Sequence, residues 1–240
     1  NQIREFNLIK IYFDSDENIP TIIFNNLSKS FGLLSPSGET RILKINGVNV
    51  GFYYIQERHS KEWFEINEIT NYSILKNNDD WDRKMTSSHT SDLDLNEKNI
   101  EVSGSGYDEA IAFGAIKNLF NAIKKNETNK ILNLIDVDYF AKFLAIKTLI
   151  NDNATITGDN IKYIYDFTNG RFKILFRQEG GIANPIVSSV VNFNKSLFEN
   201  NTYEKTLSHN LFKILISDKD FRNKKDFYLK KLLGNDCLNL

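Results

Sequence analysis

Two β-prone runs, Arg41-Ile42-Leu43-Lys44-Ile45 and Val48-Asn49-Val50-Gly51-Phe52-Tyr53-Tyr54-Ile55, are separated only by Asn46-Gly47. A two-residue connection leaves the backbone little choice. Both central residues must take positive φ, which asparagine and glycine tolerate, and the strand twist then closes a tight antiparallel hairpin. Part of this chain is therefore antiparallel sheet. Residues 6–13 are apolar and β-rich and predict another strand, and Tyr72-Ser73-Ile74-Leu75-Lys76 predicts a further one. Between them, Pro20 opens a short helix to Phe31, because proline fits the first helical turn. Residues 60–69 read as a helix with Ser60 as N-cap and Trp63, Phe64 and Ile66 as apolar contacts.

Beyond residue 76 the pattern changes. Residues 77–107 are polar and read as a long loop or insertion. Asp92-Leu93-Asp94 lacks the spacing, glycine and terminal glutamate of a calcium loop, and Gly104-Ser105-Gly106 lacks the pattern of a phosphate loop. Helices are predicted over 108–125, 127–134 and 137–150, the last capped by Asp136, and again over 203–216 and 219–233. The order is a strand-rich part, residues 1–100, followed by a mainly helical part, residues 101–240, that carries one β-hairpin. That is an α+β chain with two lobes in one integrated domain.

The embedded hairpin carries the chemistry. Asn151 to Asn160 is a polar loop, Ile161 to Phe176 reads as two strands around Thr168-Asn169-Gly170, and Arg177-Gln178-Glu179-Gly180-Gly181 is a second polar turn. A hairpin brings its two ends together, so Asp152, Asp159 and Asn160 come within reach of Glu179. Clustered oxygen ligands suit a hard cation and a phosphate-bearing substrate. The same residues are ordinary helix-end and turn formers through local hydrogen bonds. A glycosidase would need two such carboxylates about 5–5.5 Å or about 6.5–9.5 Å apart.

Composition narrows the classes. The formal charge of −1, from 30 basic and 31 acidic residues spread along the chain, argues against a nucleic-acid surface. No apolar run approaches the roughly 20 residues of a membrane span. Cys237 is the single cysteine, so neither an intrachain disulfide nor a cysteine-based zinc site can form. No signal peptide is visible, and a start at Asn1 rather than methionine suits a processed or excised segment.

Several motifs together resemble the CotH-like family of atypical, spore-coat protein kinases. Ile45-Asn46-Gly47, Gly51-Phe52-Tyr53 and Glu57 are similar to that family's first hairpin, and Ser73-Ile74-Leu75-Lys76 to its following strand. Asp138-Tyr139-Phe140-Ala141-Lys142-Phe143-Leu144-Ala145, then Asn151-Asp152 and Asp159-Asn160 with Tyr165, resemble its central helix and catalytic loop. Leu211-Phe212-Lys213-Ile214-Leu215 with Asp218, Phe221 and Arg222 resembles its helical tail. The resemblance spans roughly residues 40–233. It implies a reduced protein-kinase-like fold that moves the ATP γ-phosphate to Ser/Thr of a coat or surface protein, with Mg2+ or Mn2+. By position, Asp152 would be the general base and Asn160 and Glu179 metal ligands, while Lys76 and Glu57 would orient the phosphates.

One departure stands out. Where the family shows Asp-x-Asp after the hairpin, this chain reads Arg177-Gln178-Glu179, with a cation in place of an expected metal ligand. The alternative is a catalytically inactive binding or structural module of a coat or cell surface. Glu57, Lys76 and Asp159-Asn160 would then be an ordinary ion-paired glutamate, a surface lysine and a strand cap.

Overall fold

In the computed structural model the residues described are 5–11, 18–77, 100–104, 109–150, 161–176 and 210–234. They form two antiparallel sheets and seven helices, a mixed α/β content compatible with the α+β expectation. Contacts divide the chain into two compact units, Asn1–Thr70 with Phe176–Asn184, and Asn71–Leu175 with Pro185–Leu240.

The first unit holds a three-stranded sheet of order β1-β3-β2, with β1 (Phe6–Lys10), β2 (Gly38–Ile45) and β3 (Val48–Glu57). Its hairpin turn follows from the sequence: Asn46 and Gly47 take φ of 50° and 81°, so both central residues are left-handed. At the other end of β2, Gly38 lies so close to β3 that an added Cβ would stand 2.1 Å from the Ile55 carbonyl oxygen. Helix α1 (Asn18–Ser30) is tied to that same point by Asn26. Its amide donates to the Gly38 carbonyl (3.3 Å), and its oxygen accepts from the Gly38 N–H (3.1 Å) and the Tyr54 hydroxyl (3.4 Å). Helix α2 (Lys61–Ile66) begins as expected, with the Ser60 hydroxyl accepting from the Trp63 N–H. Leu33, Leu34, Tyr54, Trp63, Phe64 and Ile69 are buried and form the apolar interior. The Phe176 N–H donates to the Leu34 carbonyl, which returns the chain to this unit.

The second unit is built on a four-stranded antiparallel sheet of order β5-β4-β6-β7. Its strands are β4 (Tyr72–Asn77), β5 (Ile100–Gly104), β6 (Lys162–Asp166) and β7 (Arg171–Ile174). The helices are α3 (Glu109–Lys124), α4 (Thr128–Leu134), α5 (Val137–Ile150), α6 (Asn210–Ser217) and α7 (Lys219–Leu233). Every residue of α5 from Tyr139 to Thr148 except Lys142 is buried, which marks it as the central helix rather than a surface one. Asp136 caps it through the Tyr139 N–H (3.1 Å), and two further bonds fasten that end to β7. The Asp136 N–H donates to the Phe172 carbonyl, and the Tyr139 hydroxyl to the Ile174 carbonyl at 2.6 Å. On the other side Phe143 stacks on Phe212 of α6, with ring centroids 6.1 Å apart.

Two features differ from the sequence expectation. The polar stretch 77–107, read as loop, contains strand β5, where Ile100-Glu101-Val102-Ser103 alternates apolar and polar residues beside β4. Four alternating residues in a polar surround are too short a signal to separate from loop. The hairpin read as two strands among helices is wider than that, because β6 pairs with β4 as well as with β7. Pairing between strands so far apart in the chain has no local signature.

Candidate functional site

Of the sequence-nominated residues that are described, Glu57 has the most developed surroundings. It ends β3, and its side chain is 15% exposed. The Lys29 ammonium, in the last turn of α1, bonds both carboxylate oxygens, at 2.6 Å to Oε1 and 2.7 Å to Oε2. Oε2 also accepts from the Ser37 N–H (3.1 Å), the Ser37 hydroxyl (2.9 Å) and the Trp63 indole N–H (3.0 Å). The elements that bring these donors together are the ones the sequence dictates. Gly38 and Asn26 fix the start of β2 beside α1, which sets Ser37. The Ser60 cap starts α2 so that Trp63 turns inward.

Burial alone would raise the Glu57 carboxyl. The hydrogen bonds from Lys29, Trp63 and Ser37, with the Lys29 charge, outweigh it and hold the group below its ordinary value of 4.5. Glu57 is therefore ionised at neutral pH. Tyr54 responds in the opposite sense: burial, helped by the Glu57 charge, pushes its hydroxyl up to about 12. It remains a neutral donor.

Lys76 belongs to the second unit, near the end of β4, and is half-buried. In register it lies between Glu101 on β5 and Lys162 on β6. Two lysines directly opposite each other on an antiparallel pair repel, whereas the Lys76–Glu101 register sets opposite charges side by side. Asp152, Asn160 and Glu179 lie outside the described residues, as do Asp159, Arg177 and Gln178.

A second strand-end carboxylate, which sequence reading passed over, is Asp166 at the tip of the β6–β7 hairpin. It is buried, and it accepts from the Thr168 N–H and the Asn169 amide, both at 2.9 Å. Lys173 stands 3.7 Å from it. The Thr168 bond is that of an Asx turn, the Asn169 amide comes from the same turn, and the lysine comes from the facing strand. Lys29, Ser37 and Trp63 were also passed over as site residues. Trp63 reads in sequence as a purely apolar contact, and nothing local to Lys29 or Ser37 points to Glu57.

The family comparison bears directly on this arrangement. The model described as CotH kinase protein matches residues 1–236 of the 240-residue chain. The chain belongs to the CotH kinase family. Comparison with curated proteins finds no match. The family match takes in all the motifs from which the resemblance was drawn, and it extends beyond them to β1, α1 and the Lys29–Glu57 network. No helix among the described residues of this CotH-family chain is long and apolar enough to cross a membrane.

Proposed function

We propose that this CotH-family chain is an ATP-dependent protein kinase with a reduced, two-lobed kinase-like fold, acting on Ser/Thr hydroxyls of a coat or surface protein. The family match over residues 1–236 carries the reading. The Lys29–Glu57 pair supports it as a part-buried, fixed pair of charges of the kind phosphoryl transfer uses. The transfer needs little covalent help from the protein, so positioning and charge neutralisation do most of the work. In this reading the Asp152 carboxylate takes the proton of the acceptor hydroxyl as its oxygen bonds the γ-phosphorus. The bond from that phosphorus to the β–γ bridging oxygen breaks, and ADP leaves. Asn160 and Glu179 supply oxygen ligands to Mg2+ or Mn2+, a donor set of the hard type these ions take. Lys76 and Glu57 belong to the phosphate-orienting set. Among the described residues no three His, Cys, Asp or Glu side chains group to hold a metal ion.

The test is transfer itself. Incubation with labelled ATP, Mg2+ or Mn2+ and a protein acceptor should label Ser or Thr, and Asp152→Ala should abolish labelling. Equal labelling by both proteins would remove Asp152 from its role. A second reading, a non-catalytic CotH module that binds a coat or surface partner, is favoured by Arg177 in the expected place of an aspartate. Metal-dependent micromolar ATP binding in a calorimeter would count against it.

A further inference from the structure

We propose that helix α7 docks the chain on an anionic lipid surface, with Phe227 entering the headgroup region and Lys224, Lys230 and Lys231 meeting the lipid phosphates. This face belongs to the second unit alone, and its role is independent of the kinase reading.

Phe227 is 62% exposed. Its ring meets Tyr228 edge-on, with centroids 5.3 Å apart, yet stays mostly in water. The helix does not depend on that ring for its place, because its inner face is buried through Phe221, Lys225, Leu229 and Leu232. Residues three or four apart are neighbours on a helix surface. For Phe227 those neighbours are Asn223, Lys224, Lys230 and Lys231, and all of them are exposed. An outward aromatic ring therefore stands among lysines.

Charge is concentrated here. Helix α7 holds six basic residues and two acidic ones, in a chain whose net charge is −1. The nearby carboxylates offset the outward lysines only in part. Asp226 is held by the buried Lys225 at 3.0 Å. Asp138 of α5 meets two ammonium groups, Lys142 at 3.0 Å and Lys224 at 3.5 Å, so one positive charge remains there. Asp220, exposed near the start of the helix, offsets one charge at most. The helix dipole welcomes Lys230 and Lys231 in the last turn, but it gives no reason for an exposed ring beside them. An acidic protein segment would also satisfy the lysines, and it fits less well. An aromatic anchor at a protein interface fills a pocket on the partner, and such interfaces favour arginine over lysine. Each exposed cation next to Phe227 is a lysine. A bilayer surface attracts lysines as point charges and takes a ring at headgroup depth without a preformed pocket.

The experiment is co-sedimentation of the full chain with vesicles, either phosphatidylcholine alone or phosphatidylcholine with about a third phosphatidylserine. Wild type should bind the second and not the first. Lys230→Gln and Lys231→Gln together are expected to weaken binding by about 30-fold, about 5-fold for each lysine. Phe227→Ala should weaken it by about 5-fold or more, and Phe227→Trp should restore it. Lys44→Gln, the same loss of charge at an exposed position on β2, should leave binding unchanged. All these side chains are exposed, so melting curves should stay close to wild type. Folded Lys230→Gln/Lys231→Gln or Phe227→Ala protein that binds like wild type would overturn the inference, and so would an equal loss in Lys44→Gln.

The wild-type chain supplies checks that do not depend on any variant. Binding to the anionic vesicles should fall steeply as salt is raised from about 0.1 M to about 1 M, where screening shortens from about 10 Å to about 3 Å. Soluble polyglutamate, which offers charge without a bilayer, should compete weakly. Wild type that ignores anionic vesicles at low salt, or binds neutral ones as well, would overturn the inference. Polyglutamate that displaces the protein fully would also overturn it, and would give this face to an acidic protein partner.

Discussion

Glu57 and Asp166 make an instructive pair. Each is a largely buried carboxylate at the end of a strand, and each has a lysine beside it. Their other partners differ in origin. Asp166 is satisfied from two and three residues along its own turn. Glu57 takes its donors from 28 and 20 residues before it and six after. An Asx turn forms wherever a short chain can fold back on itself, so the Asp166 network says only that a hairpin is present. Collecting three distant groups around one carboxylate means closing several loops and ordering a lysine. Such an arrangement exists only in the folded unit. The Asp166 carboxylate shapes a turn, and the Glu57 carboxylate fixes a cation.

The largest effect should come from breaking the Glu57 network. Glu57→Ala leaves the Trp63 indole, the Ser37 hydroxyl and the Lys29 ammonium without their acceptor. The expected loss is about 2–4 kcal/mol of stability, from stranded donors and a part-buried charge. Urea denaturation would measure it, with Trp63 fluorescence shifting to the red as water reaches the indole. Gly38→Ala should come next, at about 2 kcal/mol, because a Cβ meeting a backbone oxygen forces β2 and β3 apart. Since Gly38 neighbours Ser37, this variant should also loosen Lys29, seen as faster acylation of its amine. Asp166→Ala should cost less, about 1–2 kcal/mol, as the exposed part of the turn finds water instead. It should leave ATP binding unchanged. If Asp166→Ala cost as much stability as Glu57→Ala, the contrast between a carboxylate served by its own turn and one that gathers distant donors would fail.

The same contrast explains what could be read from the sequence. Asn46-Gly47, the Ser60 cap and the Asp136 cap are local signals, and each gave the element it implies because its partners lie within a few residues. The spacing of Phe140, Phe143 and Leu144 predicts one apolar face on α5, whereas burial runs all round it from Tyr139 to Thr148, Lys142 excepted. Glu57 was visible as a strand-end carboxylate, but its partner was not. Lys29 is one of many lysines at a helix end, and only the approach of α1 to β3 selects it. The place of β4 beside β6 was hidden for the same reason, since Ser73 and Tyr165 are paired in the sheet but lie on either side of three helices in the chain. Asp152, Asn160 and Glu179 stand as sequence nominations that ligand binding and transfer assays will decide.

The smallest effect lies in acid titration, and its sign can be stated. Glu57 has its folded-state value below the ordinary 4.5 despite burial, through the donors from Lys29, Trp63 and Ser37. A carboxyl depressed by folding contributes stability that is fully present above its unfolded value and is lost as pH falls through the folded one. Wild type should therefore lose stability faster than Glu57→Gln as pH is lowered from about 5, and the two curves should converge at the acid end. Some acid dependence should survive in the variant. In the second unit Asp138 is also depressed: burial opposes the shift, but the Tyr228 hydroxyl with Lys142 and Lys224 overcomes it. Its side chain is 44% exposed, so solvent screens that contribution and it should fade as salt is raised. The Glu57 part, from a side chain 15% exposed, should persist in the same salt series. Acid melting curves at low and high salt would separate the two. A Glu57→Gln curve parallel to wild type in both would mean that Lys29 does not favour the ionised carboxylate over its neutral replacement, and the ammonium would lose the anchor assigned to it.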